Sequence, residues 1–311
     1  MTELREIASG LRFPEGPVAM ADGSVVLVEI ARGTLIRVRP DGAKEVIADL
    51  GGGPNGAAIG PDGKCYVCNN GGFKWIDDEN GLRPILQADD YSGGRIERVD
   101  LATGAFETLY TESDRAPLRG PNDLVFDRHG GFYFTDLGKG RPRELDRGCV
   151  CYARADGSLI REVVFPMFTP NGVGLSPDGG TLYVAETETA RLWAFTLTAP
   201  GEIRREPWPS PHGGRLVTGS ATYQRFDSLA VDRAGNICVA TLVNGGISII
   251  SPEGAPGGVS VRHVPMPERW PTNICFGGPD LRTAFITLSS TGRLVACQWE
   301  EAGMPLAFLN R

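Results

Sequence analysis

The stretch PNGVGLSPDGGTLYVAE at residues 170–186 joins an oxygen-bearing side chain, an apolar run, an Asp-Gly turn and a second apolar run. The same pattern recurs six times along the 311 residues, each time led by a Pro- or Phe-containing turn. Self-similarity at this period is typical of architectures that copy one structural unit. In register, the oxygen-bearing position is filled, at intervals of 40, 67, 49, 56 and 46 residues, by Glu15, Asn55, Asn122, Asn171, Asp227 and Asn273.

Each repeat predicts two β-hairpins. The first surrounds a turn such as Asp62-Gly63, and the second reaches a turn such as Thr103-Gly104 or, in the fifth repeat, Glu253-Gly254. Such dipeptides between apolar runs are hairpin signals. Four short strands per repeat, without a helical period of any length, predict an all-β fold: a six-bladed β-propeller with four antiparallel strands per blade.

The repeats continue from about residue 3 to residue 310 without a linker or a shift in composition, so we expect one domain over residues 1–311. A closed ring has to pair its last blade with a strand from the other end of the chain, because an open seam would leave unpaired strand edges. Residues 4–8 would give the simplest closure and residues 305–309 are the rival, and the hairpin pattern does not choose between them.

The innermost strand of each propeller blade lines the channel, so we expect the six oxygen donors to share one end of it. Asn is also an ordinary turn residue, which leaves a structural role open for the amides. Glu15 and Asp227 fit that role less well, because a carboxylate facing a narrow channel is costly unless it is paired or bound to a cation. A ring of hard oxygen ligands predicts one divalent cation, with calcium expected and magnesium, manganese, zinc or iron(II) as alternatives.

Two long connections are expected beside these donors. Residues 70–94 would form a lid carrying Phe73 and Trp75, because long loops in compact domains are commonly functional. The connection at residues 207–225, with Trp208 and His212, would border the same end. Together with Asn70 and Arg141, the lid offers a polar and aromatic surface suited to a hydroxylated ring.

Composition argues against several other functions. The formal charge of −7 argues against nucleic acid or an acidic membrane as partner. No apolar stretch approaches the roughly 18 residues of a membrane span, and the N-terminus lacks a signal-peptide pattern, so we expect a cytoplasmic protein. Cys65-x-x-Cys68 has no second pair to complete a zinc site. With three histidines and no G-x-S-x-G, a Ser-His-Asp triad has little support.

The chain resembles, over essentially its whole length, the family of senescence marker protein, gluconolactonase and luciferin-regenerating enzyme. The resemblance implies a six-bladed propeller that hydrolyses lactones with one divalent ion in the channel. It also implies that Glu15, Asn171 and Asp227 bind the metal and that Asn122 touches substrate or completes the metal shell. The motifs that carry the resemblance are Phe13-Pro14-Glu15-Gly16-Pro17, Pro121-Asn122-Asp123, Pro170-Asn171-Gly172 and Phe226-Asp227-Ser228.

In this family the last acid is usually followed by glycine, so Ser228 is a departure that bears on local backbone geometry. The expected substrate is a small, sugar-derived lactone, bound by Asn122, Asn70, Phe73, Trp75 and Arg141. The cation would polarise the carbonyl and Asp227 would act as general base towards water. Activation of water by the cation itself, a phosphotriesterase-like reaction on the same ion, and a non-catalytic ligand-binding propeller remain alternatives, because one fold hosts many activities. The oligomeric state is left open.

Overall fold

The computed structural model describes residues 3–252 and 258–309, and the predicted turn at Glu253-Gly254 lies outside them. Within the described residues there is no helix; of the 29 strands, 25 form six antiparallel blades around a central channel and four form two small hairpins. None of these residues forms a helix long and apolar enough to cross a membrane. The prediction of an all-β, six-bladed propeller is confirmed.

The first three blades each contain four strands in an up-and-down order, and the second and third also carry a small hairpin. The strand β1 (Arg5–Ala8) precedes them. Their strands are β2 (Pro14–Ala19), β3 (Val25–Glu29), β4 (Thr34–Val38) and β5 (Lys44–Asp49); β6 (Pro54–Ile59), β7 (Cys65–Asn69), the hairpin β8 (Phe73–Asp78) and β9 (Gly81–Gln87), β10 (Arg95–Val99) and β11 (Phe106–Tyr110); and β12 (Pro121–Phe126), β13 (Gly131–Asp136), the hairpin β14 (Gly140–Arg141) and β15 (Glu144–Leu145), β16 (Gly148–Arg154) and β17 (Ile160–Met167).

The last three blades continue the ring, and the fourth has an additional outer strand. Their strands are β18 (Pro170–Leu175), β19 (Thr181–Glu186), β20 (Arg191–Ala199), β21 (Glu202–Arg204) and β22 (Arg215–Gly219); β23 (Arg225–Val231), β24 (Ile237–Leu242), β25 (Gly246–Ile250) and β26 (Val261–Pro265); and β27 (Pro271–Gly277), β28 (Thr283–Leu288) and β29 (Arg293–Gln298).

The ring closes through the N-terminus. Strand β1 pairs antiparallel with β29, with Arg5 opposite Ala296, and so supplies the outer strand of the sixth blade. Of the two candidate segments, the N-terminal one therefore closes the ring. The rival segment at the C-terminus instead contributes Met304 and residues 306–309 to the lining of the central channel. Inner strands β2, β6, β12, β18, β23 and β27 pack against one another in this order and surround the channel.

Every inner strand is irregular at the recurring phrase. The register between the first and second strands of each blade shifts at or beside the oxygen-bearing residue. A bulge of this kind redirects a side chain and bends the strand locally. Glycine permits the close approach of neighbouring blades: a Cβ on Gly16 would lie 2.5 Å from Asn55 O, and one on Gly172 would lie 2.7 Å from Asp227 O.

The two long connections differ from expectation. The lid, residues 70–94, contains the regular hairpin β8–β9. In the 207–225 connection, strand β22 pairs with the outer side of β20, which takes most of the connection away from the channel. Trp208 is 90% exposed, and His212 packs against the rings of Trp193 and Phe195. The expectation that Trp208 and His212 border the channel is therefore wrong, because strand pairing directs the connection outwards.

Apolar clusters fill the space between neighbouring blades. One joins the first two blades through residues such as Val28 and Val67, and another joins the third and fourth through residues such as Val150 and Leu182. Cys65 and Cys68 are buried free thiols, and burial raises the pKa of both. These thiols therefore pack as small apolar groups.

Candidate functional site

Five of the six predicted oxygen donors line one cavity at one end of the channel, which we call the mouth. The cavity has a volume of about 140 Å3, and its lining includes Glu15, Asn55, Asn122, Asn171 and Asp227. Each residue lies near the start of a different inner strand. The structure thus brings together the four residues predicted to hold a cation, because the bulged phrase is repeated around the ring.

The sixth donor, Asn273, faces Glu15 with its nitrogen. Asn273 Nδ2 donates to Glu15 Oε2 at 2.7 Å, and the backbone N–H of Gly16 donates to the same oxygen at 2.6 Å. Glu15 is 2% exposed, and burial raises the pKa of its carboxyl above the ordinary value. Asn273 is therefore a positioning residue that orients the Glu15 carboxylate.

Asp227 and Asn171 are joined through Ser228. The Ser228 backbone N–H donates to Asp227 Oδ1 at 3.1 Å, and its hydroxyl donates to Asn171 Oδ1 at 3.3 Å. Asn171 Nδ2 donates to Thr187 Oγ1 at 3.1 Å, which fixes the other side of the amide. Burial, followed by repulsion from Glu15, raises the pKa of Asp227 well above its usual range. The serine side chain thus supplies a hydrogen bond to Asn171 that glycine at position 228, which the resemblance led us to expect, would lack.

Backbone strain accompanies two of the donor phrases. Phe13 and Thr169 have φ values of 59° and 46°, in the left-handed region that disfavours residues with a bulky side chain. They stand two residues before Glu15 and Asn171, and both line the cavity. Strain of this kind costs about 1–3 kcal/mol per residue and concentrates at functional sites. The mouth is therefore held in a conformation that local preferences alone would not select.

The donors fit a hard divalent cation. Asn122 Oδ1 is buried and has no hydrogen-bond partner among the residues that the structure describes. An unmatched buried oxygen that shares a cavity with the carboxylates of Glu15 and Asp227 is costly, and a bound cation would satisfy all three. Across residues 3–252 and 258–309, no three His, Cys, Asp or Glu side chains are arranged to hold a metal ion. A cation here would consequently depend on amide oxygens as well as carboxylates, a donor set that suits calcium or magnesium.

A third carboxyl group, Asp123, was not predicted from the sequence. Its Oδ1 accepts a hydrogen bond from Leu124 N at 2.9 Å, and burial together with the charge of Glu15 raises the pKa of Asp123 to about 8. The sequence did carry a signal for Asp123. It directly follows the oxygen donor of its phrase, at a position that glycine occupies in other phrases, such as Gly56 and Gly172. The channel therefore contains three carboxyl groups whose charges oppose one another, with Glu15 and Asp123 buried and Asp227 partly buried.

The lid is fixed at its base by a buried lysine. Lys139 Nζ donates to Asn70 Oδ1 and to Gly72 O, both at 2.9 Å, and lies 3.7 Å from the centre of the Phe73 ring. Burial lowers the pKa of Lys139 to about 7, although the charge of Asp136 opposes that change. No sequence pattern distinguishes Lys139 from other lysines, so this contact was not anticipated.

The predicted substrate-binding residues separate into two groups. Asn122 and Phe73 line the cavity, whereas Asn70, Trp75 and Arg141 lie outside its lining. Asn70 accepts the hydrogen bond from Lys139 that anchors the lid. Trp75 packs its ring 5.1 Å from that of Phe13 and 6.3 Å from that of Phe73.

Arg141 is engaged beside the lid. Its guanidinium forms ion pairs with Glu144 at 2.9 Å and with Asp146 at 2.6 Å. The structure therefore does not bring Asn70, Trp75 or Arg141 to the cavity, because each makes contacts that hold the lid or the neighbouring hairpin. Residues 84–86 of the lid line the cavity instead.

Comparison with known proteins agrees with this architecture. The sequence profile of the SMP-30/gluconolactonase/LRE-like region matches residues 13–290. A gluconolactonase of Zymomonas mobilis is 26% identical over 320 residues, which cover 93% of this chain and 79% of that protein. The lactonase drp35 of Staphylococcus saprophyticus is 29% identical over 246 residues, which cover 78% of this chain and 68% of that protein.

Solved structures show the same fold. A gluconolactonase of Xanthomonas campestris superposes with a TM-score of 0.72 at 23% identity, covering 96% of this chain and 90% of that one. The calcium-binding protein regucalcin of Agrobacterium tumefaciens superposes with a TM-score of 0.74 at 19% identity, covering 100% and 98%. The profile match spans most of the chain and includes all six oxygen-bearing positions, from Glu15 to Asn273. This chain belongs to the SMP-30/gluconolactonase/LRE-like family.

Proposed function

We propose that this protein is a divalent-metal-dependent lactonase that opens a small cyclic ester with water. One observation carries the proposal: the carboxylates of Glu15 and Asp227 and the unmatched oxygen of Asn122 lie together in a cavity at the channel mouth. The names of the two relatives, gluconolactonase and lactonase, support lactone hydrolysis as the reaction.

The cation would be held by Glu15, Asn122, Asn171 and Asp227. When bound, it would supply Lewis-acid polarisation of the lactone carbonyl and neutralise the carboxylates. Calcium is the first ion to test, because the donors are all oxygen and regucalcin, which has the same fold, is a calcium-binding protein. Magnesium, manganese, zinc and iron(II) are the alternatives.

Asp227 acts as the general base in this proposal. Its carboxylate can accept a proton from the attacking water, whereas the amides of Asn122 and Asn171 cannot. Water forms the new bond to the acyl carbon, the ring C–O bond breaks, and the proton taken by Asp227 passes to the departing oxygen. The product is an open hydroxy acid. Ser228 N–H, bonded to Asp227 Oδ1, orients the carboxylate for this transfer.

The chemical groups carried by the lactone ring have to be inferred from residues other than those predicted from the sequence. A sugar-derived lactone was expected because Asn70, Phe73, Trp75 and Arg141 were predicted to offer a polar and aromatic surface to the substrate. Of these four residues, Phe73 lines the cavity and the other three lie outside its lining. The substituents of the lactone are therefore best inferred from the residues that do line it.

The test is cation dependence of lactone hydrolysis. Protein stripped with a chelator is assayed by proton release on a panel of lactones, before and after each candidate ion is restored. We expect hydrolysis to disappear on stripping and to return with at least one ion, and hydrolysis that survives stripping would contradict the proposal. A single turnover in 18O-labelled water separates direct attack by water, which labels the product at once, from initial attack by the Asp227 carboxylate, which does not.

A further inference from the structure

Above the oxygen donors, the wall of the cavity is mainly apolar. Outside the five donors, ten lining residues carry apolar side chains and four carry polar ones. The apolar residues come from several blades and from the lid, so they surround the opening. Representative members are Phe13, Phe73, Ile85, Leu86, Leu145 and Trp270.

The four polar residues of the wall are engaged with one another or with the protein. Thr169 Oγ1 accepts a hydrogen bond from the backbone N–H of Glu188 at 3.0 Å, and Thr187 Oγ1 accepts one from Asn171. Arg225 and Glu188 form an ion pair. Arg225 Nε is the exception, because it is buried without a partner among the described residues. The buried Arg225 Nε is thus an unmatched donor that suits one substrate oxygen.

A polyhydroxylated ring matches this wall poorly. Each hydroxyl that enters would lose its hydrogen bonds to water against phenylalanine, isoleucine and leucine side chains, and an unpaired buried polar group is costly. Enzymes that select hydroxylated substrates place matched polar groups against them. An apolar substituent would instead be buried in contact with these side chains.

The size and position of the wall agree with a compact substrate. The cavity of about 140 Å3 is close to the roughly 150 Å3 of an engineered apolar cavity that binds benzene, so one small ring fits. Ile85 is 46% exposed and Leu145 is 44% exposed, and both lie at the cavity opening. A short chain on the ring would therefore extend along these two residues.

We propose that the substrate is a small lactone with a short alkyl substituent, with the ester directed to the oxygen donors and the alkyl group contacting Ile85, Leu86 and Leu145. This inference rests on the proposed lactonase activity. It differs from the sequence expectation of a sugar-derived lactone because it follows from the residues that actually line the mouth.

The first experiment compares lactones that share one ring. Unsubstituted δ-valerolactone, its 5-methyl and 5-propyl derivatives, and glucono-δ-lactone are assayed with the cation restored. We expect kcat/KM to rise roughly 4-fold for each methylene that becomes buried. The gluconolactone should be the poorest substrate after correction for spontaneous hydrolysis.

Two isoleucines of the same hairpin provide a matched pair of variants. Ile85 lines the cavity, whereas Ile76 lies outside its lining and is similarly exposed at 39%. Ile85→Ser should lower kcat/KM for the propyl lactone about 10-fold and leave the unsubstituted ring within about 2-fold. Ile76→Ser should leave both unchanged.

Binding gives a readout that does not need turnover. Calorimetry with the corresponding δ-lactams, which resist hydrolysis, should show tighter binding of the propyl lactam than of a polyhydroxylated lactam, and Ile85→Ser should remove the difference. If gluconolactone and its lactam are preferred, the inference is overturned while the lactonase proposal stands. If no lactone is hydrolysed with any restored ion, the lactonase proposal fails and this inference fails with it.

Discussion

The two ends of the channel are built from the same six inner strands but have opposite chemistry. At the mouth, the start of each strand presents carboxylate or amide oxygens to one cavity. At the opposite end, which we call the far end, the strands present residues such as Val18, Ile59 and Leu229 to a second cavity of about 100 Å3. Residues 306–309 of the C-terminus complete its lining, and the Phe308 ring packs edge-on against Phe126 at 5.7 Å.

The difference indicates where stability and function reside. The far end buries apolar surface, which is favourable in itself. The mouth buries Glu15 and an unmatched Asn122 oxygen and partly buries Asp227, which is unfavourable until a ligand compensates. Substitutions at the mouth should therefore reduce ligand binding and catalysis, whereas substitutions at the far end should reduce stability.

The largest expected effect is on kcat and comes from substituting Asp227 at the mouth. The comparison is with Asp232, which lies just beyond the other end of β23. Asp227→Asn should lower kcat for lactone hydrolysis about 1000-fold, because the amide cannot accept the proton of water. Asp232 accepts hydrogen bonds from the backbone and side chain of Asn236 at 2.8 and 2.7 Å. It therefore stabilises the turn between β23 and β24, at the far end.

Asp232→Asn is the control for that change. The variant should lose stability but keep kcat within about 2-fold at a temperature where it is folded, as checked by circular dichroism. Equal loss of kcat in both variants would remove the functional distinction between the two ends.

The sequence was sufficient for the fold and for five of the six oxygen-bearing residues predicted at the mouth. Repeated phrases specify the bulges that aim Glu15, Asn122, Asn171 and Asp227 inwards, and local turn chemistry places the hairpins. The lid was harder to predict because its contacts join residues distant in sequence. The hydrogen bond between Lys139 and Asn70 spans 69 positions, and neither residue lies in a repeated motif.

Lys139 provides the next test, through pH. Burial lowers its pKa to about 7, whereas an unfolded chain keeps it near 10.4. Between these values the unfolded chain holds a proton that the folded chain lacks, so raising the pH favours folding. The free energy of unfolding of the wild type, relative to Lys139→Met, should rise by about 1 kcal/mol per pH unit from about pH 7 to about pH 10. Denaturant unfolding at several pH values measures the difference in free energy of unfolding between the two proteins. A difference that does not change with pH would show that Lys139 is not buried in solution.

Phe308→Ala tests the far end. Removing a partly buried ring that packs against Phe126 should lower the free energy of unfolding by about 2 kcal/mol. The KM for a lactone should stay unchanged, because the ring lies away from the mouth. A large increase in KM with unchanged stability would mean that the C-terminal segment serves the substrate site.

The smallest expected effect concerns Ser228. Ser228→Ala removes the hydroxyl that donates to Asn171 Oδ1 and should weaken cation affinity about 5-fold, equivalent to about 1 kcal/mol. Ser176→Ala, beyond the far end of β18, is the control and should leave the affinity unchanged. Unaltered affinity in Ser228→Ala would show that Thr187 alone positions the amide.

The most direct test of the account is calorimetric titration of chelator-stripped protein with calcium, and then with magnesium, manganese, zinc and iron(II). The account predicts one ion per chain for at least one metal, with binding lost in Glu15→Gln and in Asp227→Asn but retained in Asp232→Asn. Absence of binding by the wild type for every ion, or full binding by Glu15→Gln, would contradict a cation held by the donors at the mouth.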